Sequence, residues 1–186
     1  MNRIARTLFA LLAPSAFALL GACASTPEAS PHAAHAMPPA AHAPAPADDG
    51  LDAVARVHGG AGPWAVLGYR MGEHARARLG LPRHSFDLEV IHRSPREVQY
   101  SCIADGAAAA TGASLGKLNL TLEPADAARV ETVFRKRSTG QTVVLRPAPA
   151  FAARFHDVPR AELGAKGREV MALPDAELFE DVPTSP

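Results

Sequence analysis

Residues 57–72 read VHGGAGPWAVLGYRMG, and two architectures compete for them. Gly60, Gly62 and Ala65 fit G-x-G-x-x-A, the spacing of a dinucleotide-binding turn between a strand and a helix. Gly62-Pro63 also reads as the cap and first residue of a helix, where the missing proline N–H costs nothing. The flanks decide between them. Trp64, Leu67, Met71, Ala75 and Leu79 recur every three or four residues up to Gly80, which predicts an amphipathic helix over 63–79. Leu51, Val54 and Val57 have helical spacing too, with Asp48, Asp49 and Asp52 at the favourable N-terminal end. The glycine stretch therefore joins helix to helix, and the nucleotide reading is set aside. Gly68 and Gly72, one turn apart, allow close backbone approach, and the helix is expected to pack across a sheet through them.

Downstream, strands are predicted at 86–92, 98–103, 117–122, 130–136 and 142–146, the last two joined by the turn Ser138-Thr139-Gly140-Gln141. ADGAAAATGAS (104–114) reads as a short helix broken at Gly112. Helical stretches return at 151–155, 160–172 and 175–180. The links between strands are too short for repeated crossovers, which take a dozen residues or more. Helices flanking hairpin-connected strands predict one α+β domain over 51–182, with a mainly antiparallel sheet and a short tail at 183–186.

The first 22 residues look like an export signal. Arg3 and Arg6 precede TLFALLAPSAFALL (7–20), an apolar run too short to span a bilayer, which takes roughly 20 residues. It ends in Leu20-Gly21-Ala22-Cys23, which resembles a bacterial lipobox with Cys23 as the lipidated first residue. An ordinary secretory peptide with an incidental Cys23 is the alternative. Ala24 in place of Asp favours an outer-membrane anchor facing the periplasm of a Gram-negative bacterium. Residues 23–50 are rich in alanine and proline and read as a disordered tether. His32, His35, Met37 and His42 within it read as polar decoration of a spacer, because nothing would hold them as a metal site.

Of the two cysteines, a lipidated Cys23 cannot pair, which leaves Cys102 alone in an oxidising compartment. Without Arg3 and Arg6, the nineteen basic residues fall two short of the nineteen acidic ones. No basic run stands out, so nucleic acid is excluded as a partner.

Two groups of residues carry a family resemblance. His58-Gly59-Gly60-Ala61-Gly62-Pro63, followed by Gly68-Tyr69-Arg70-Met71-Gly72, is similar to H-G-H-x-C-P-G and G-x-R-M-G. Cys102-Ile103-Ala104-Asp105-Gly106-Ala107-Ala108 and Thr111 to Asn119 are similar to C-x-x-D-(A/G)-x-Q and T-G-C-T-x-G-K-G-N. Pro174-Asp175-Ala176-Glu177-Leu178-Phe179 matches P-D-x-E-L-F. The whole resembles the FmdE family of formylmethanofuran dehydrogenase proteins, over about 51–182. The resemblance implies an α+β core, a homodimer, and a His/Cys-lined cleft for a metal or small ligand. Many members add a C-terminal zinc finger; no cysteine pair follows here, so that module is expected to be missing.

Within the implied cleft, His58, Cys102 and Asp105 are the expected metal or ligand contacts, with Thr111, Lys117 and Asn119 at its rim. Gly60, Gly62, Ala108 and Ala113 stand where the family has His, Cys, Gln and Cys. With so few ligands, any divalent metal such as zinc should be weakly held. Each residue has a plainer reading: His58 as a helix-end residue, Cys102 as a small buried hydrophobe closing a strand, Lys117 and Asn119 as surface strand residues. Arg70 and Arg76 are expected on the solvated face of their helix. Two functions remain. One is a membrane-tethered periplasmic binding protein for a metal ion or metal-bearing small molecule, without catalysis. The other is an enzyme in which His58 activates Cys102 as a nucleophile, a thiol hydrolase or transferase.

Overall fold

The computed structural model describes residues 47–183. The leader, Cys23, most of the tether and the last three residues lie outside the described residues. Helix α1 (Ala47–His58) leads through Gly59–Gly62 into α2 (Pro63–Leu79). Gly62 caps α2, Pro63 opens it, and Gly80 closes it in the left-handed conformation at φ 62°. Local sequence signals fix both ends of this helix, and both match expectation.

The sheet has the order β2-β1-β3-β4-β5. Its strands are β1 (Leu88–Ser94), β2 (Leu120–Pro124), β3 (Glu131–Lys136), β4 (Thr142–Pro147) and β5 (Phe179–Asp181). Three of the four pairings are antiparallel, and β1 with β2 is parallel. The α+β class with a mainly antiparallel sheet is therefore as expected. The parallel pair is not, and it follows from a second correction.

Residues 98–103 are not a strand. They form the start of α3 (Val98–Thr111), which absorbs the alanine run and ends at Gly112 with φ 71°. Alternating Val98, Tyr100 and Cys102 mimics a half-buried strand, yet Val98 is 76% exposed. The buried set Ile103, Ala107 and Ala110 has the helical period. With α3 between β1 and β2, these elements make one βαβ crossover. Residues 115–117 form a 3-10 turn, so the strand expected at 117–122 begins later, at Leu120. After α4 (Pro149–Arg154) and α5 (Leu163–Ala172), the tail helix α6 is only Asp175–Leu178. Phe179–Asp181 pairs with β4 as an edge strand too short to be visible as a pattern.

The glycine face of α2 meets α3 rather than the sheet. A methyl group on Gly106 would collide with Ala65 O and stand 2.7 Å from Tyr69 N. One on Gly68 would collide with the Ile103 carbonyl, and one on Gly72 would stand 2.7 Å from Ala110 Cβ. The two backbones thus touch along a stripe of small residues. Together they cover the inward sheet face formed by Leu88, Val90, Phe134, Val143 and Leu145. On the outward face, Ile91, Val133 and Val144 align in register across β1, β3 and β4. Arg93, Glu131 and Arg146 pair on one side of that row, and Glu89 with Arg135 on the other. Long arginine stems beside an apolar row shield it while keeping their charges in water.

A hydrogen-bonded polar pair, His92 and Thr132, is sealed beneath the helices. His92 on β1 is fully buried; its Nε2 donates to Tyr100 O at 3.1 Å, so Nδ1 accepts from the Thr132 hydroxyl at 2.9 Å. Burial pushes its pKa down to about 4, so the ring is neutral in the fold.

Two outcomes follow for stability. Gly106→Ala should cost about 1–3 kcal/mol in chemical denaturation, against alanine's better helix propensity. Gly116→Ala, where nothing lies within 4 Å, should leave the midpoint unchanged. For His92, the unfolded ring takes up a proton near pH 6.5 while the folded ring resists until about 4. Its contribution is therefore complete above pH 6.5 and shrinks as pH falls toward 4, by on the order of 2–3 kcal/mol at pH 4.5. His84, also held low by burial and by nearby Arg83, acts in the same direction. Urea unfolding of His92→Gln should show a flatter pH dependence between 4.5 and 6.5; an unchanged slope would refute this.

Candidate functional site

The end of α1, the start of α2 and the first turns of α3 meet around a cavity of about 720 Å³. His58 and Gly59–Ala61 form one side, and Gly62–Ala65 the floor. Val98, Gln99 and Cys102 of α3 form the second wall. A third comes from Phe155, Asp157, Val158, Arg160, Leu163 and Gly164. Close packing holds these walls. A methyl group on Gly167 of α5 would collide with Ala61 O, so α5 lies directly against the loop. Trp64 Nε1 donates to Phe155 O at 2.8 Å, and its ring meets Tyr100 and Phe151 edge-on, each at 5.1 Å. Gln99 Oε1 accepts from the Asp157 backbone N–H at 3.1 Å.

His58 and Asp105 come together directly. His58 Nδ1 lies 2.8 Å from Asp105 Oδ2, which orients the ring and leaves Nε2 as its uncommitted nitrogen. Cys102 lines the same cavity, one turn before Asp105 on α3. Its thiol instead donates to Gln99 O at 3.2 Å, and burial pushes its pKa up to about 12, with the Asp105 carboxylate adding to the rise. His58 and Cys102 are thus neighbours that do not form a thiolate pair. Nor does the expected three-ligand set assemble: among the described residues, no group of three or more His, Cys, Asp and Glu side chains is placed to hold a metal ion.

Thr111, Lys117 and Asn119 do not form the rim. They surround the other end of α3, about 13 Å along the helix from Cys102 at 1.5 Å per residue. Thr111 Oγ1 donates to Ala107 O, and Lys117 Nζ donates to Gly112 O at 2.8 Å. Buried Asn119 accepts from Ser114 N and donates to Leu88 O. This set closes the C-terminus of α3 and fastens it to β1. Ala113 sits there too, buried and away from the cavity. Arg70 is likewise not a solvated residue. It donates to the carbonyls of Met171 and Leu173 at the end of α5 and to Asp175 at 2.6 Å. Arg76 is tied to Glu73 and Ala110 O. The motif residues Arg70 and Asp175, 105 positions apart, are one clasp.

A family model described as "FmdE, Molybdenum formylmethanofuran dehydrogenase operon" matches residues 57–180. The chain belongs to the FmdE family. No curated protein matches it. Seen against the FmdE pattern, Gly60 and Gly62 are the two absent side chains that bear on the cavity. A methyl group on Gly60 meets nothing within 4 Å, and one on Gly62 comes no nearer than 3.7 Å to Leu163. Gly62 has φ −77°, a backbone open to any residue. Neither glycine is required by the fold, so their effect is a wider cavity with fewer donor atoms.

The third wall escaped sequence reasoning. Asp157, Val158 and Arg160 belong to an irregular stretch, HDVPR (156–160), with no periodicity and no family motif. The only local signal is Asp157 itself, held at φ 50°.

The high thiol pKa gives a direct expectation. Iodoacetamide at pH 7 should label Cys102 only slowly in the native protein and rapidly in urea. Fast native labelling, read by mass, would refute the buried protonated thiol.

Proposed function

We propose that this FmdE-family chain is a membrane-tethered, periplasm-facing binding protein that takes a small ligand in the cavity between His58 and Arg160. One observation carries the reading: a roomy cavity onto which Asp105 orients His58, with Cys102 beside it held as a buried protonated thiol rather than a thiolate. Trp64, Val98, Val158 and Leu163 give the cavity its apolar area, and Gln99, Asp157 and Arg160 add a few polar groups, as small-molecule sites generally have. The start of α2, where the cap Gly62 offers no side-chain hydrogen bond, adds free backbone N–H groups, and its first turn carries no acidic residue. These features suit a ligand with an apolar body and an anionic or metal-chelating head. A bare metal ion would find His58 and little else. The tether reading rests on Leu20-Gly21-Ala22-Cys23; no helix among the described residues is long and apolar enough to cross a membrane.

Trp64 is the only tryptophan, so its fluorescence reports on the cavity. The detergent-extracted chain should respond to zinc citrate at lower concentration than to zinc ions alone. Gly60→Leu, which fills the cavity without touching the fold, should weaken that response at least about tenfold. Identical responses from the parent and Gly60→Leu would overturn the site. Intact mass of the same sample tests the anchor, through an acylated N-terminal Cys23.

A further inference from the structure

At the other end of α3 lies a surface that the cavity does not use. Phe86, Leu115 and Leu118 are 69%, 72% and 83% exposed. They form one cluster: Lys117 Nζ stands 5.1 Å from the Phe86 ring centroid, Leu118 N bonds Leu115 O, and Arg137 donates to Leu118 O. Leu118 is held at φ 53°, in the left-handed region that a leucine enters only under strain. A glycine would sit there without strain, yet the position carries a solvent-facing leucine. Neither packing nor backbone geometry accounts for a leucine at this position. Cations surround the cluster: Lys117 and Arg137 within it, and Arg83 beside His84, whose ring feels Arg83, Lys117 and Arg76 together. Two carboxylates lie nearby: Asp87 accepts from Ser138 and remains charged, and Glu89 pairs with Arg135 and, at 3.6 Å, with Arg137, so the cations Arg83, Lys117, Arg135, Lys136 and Arg137 outnumber them.

We propose that Phe86, Leu115 and Leu118 are a docking tip by which the domain rests on an anionic phospholipid surface. Apolar side chains at the tip enter the headgroup boundary while Lys117, Arg83 and Arg137 meet lipid phosphates. Charge complementarity favours this occupant over a second copy of the chain, whose matching tip would bring like charges together. The chain length is compatible with it: the 23 residues from Ala24 to Pro46 set an upper limit of about 80 Å between Cys23 and the fold. Docking through this tip places the cavity at the far end of α3, away from the lipid.

The chain from Ala24 onward contains the whole described fold and lacks both the apolar leader and Cys23, so its vesicle binding reads the tip alone. It should co-sediment with mixed phosphatidylethanolamine and phosphatidylglycerol vesicles and much less with phosphatidylcholine vesicles. Leu118→Gly removes the strain, so this variant should melt no lower than the parent, yet bind vesicles roughly tenfold more weakly. Phe86→Ser should act in the same direction. The proposal is overturned if the parent does not bind, if Leu118→Gly binds as the parent does, or if binding ignores lipid charge. Concentration-dependent dimers that Leu118→Gly abolishes, without vesicle binding, would assign the tip to a second copy instead.

Discussion

The backbone-to-backbone contact of α2 and α3 is the constraint on which the rest of the structure depends. Gly68 and Gly106 let each helix place a carbonyl where the other would carry a side chain. That approach sets the distance between the two helix starts, and so the mouth of the cavity. It also brings Asp105, one residue before Gly106, to the end of α1, where it meets His58. The same helix pair covers the sheet, so the geometry of the site and the packing of the core are one arrangement. Side chains large enough to separate the helices would disturb both at once.

The motif residues divide into two roles. Arg70 and Asp175 join α2 to the end of α5 and the start of α6, which fixes the third cavity wall relative to the first. Thr111, Gly112, Lys117 and Asn119 close α3 and fix its register on β1. These groups satisfy helix-end carbonyls that would otherwise lack partners. Polar residues in a family pattern thus need not converge on one site. Here most of them hold the scaffold, and His58, oriented by Asp105, and Cys102 are what remain at the cavity.

Legibility in the sequence followed the range of the interactions. The ends of α2 were readable because Gly62-Pro63 and Gly80 act on their own neighbours. The β3–β4 hairpin was readable because its turn and its alternation are contiguous. Residues 98–103 were misread because alternation over six residues fits a strand and a helix start equally, and the deciding partners, Ala65 and Tyr69, lie some thirty-five positions away. Arg70 looked like a surface residue because its acceptors are a hundred positions downstream. The meeting of His58 and Asp105 was accessible through the family pattern, whereas the rim assigned to Lys117 and Asn119 followed from treating sequence proximity to that pattern as proximity in space.

Because Gly60 and Gly62 bear no folding duty, the loop that lines the cavity is a place where substitutions leave the fold untouched. Side chains can be lost or regained there without passing through an unstable intermediate. A lineage carrying this scaffold is therefore free to drift from a donor-rich site to an open one and back, while Gly68 and Gly106 hold the frame.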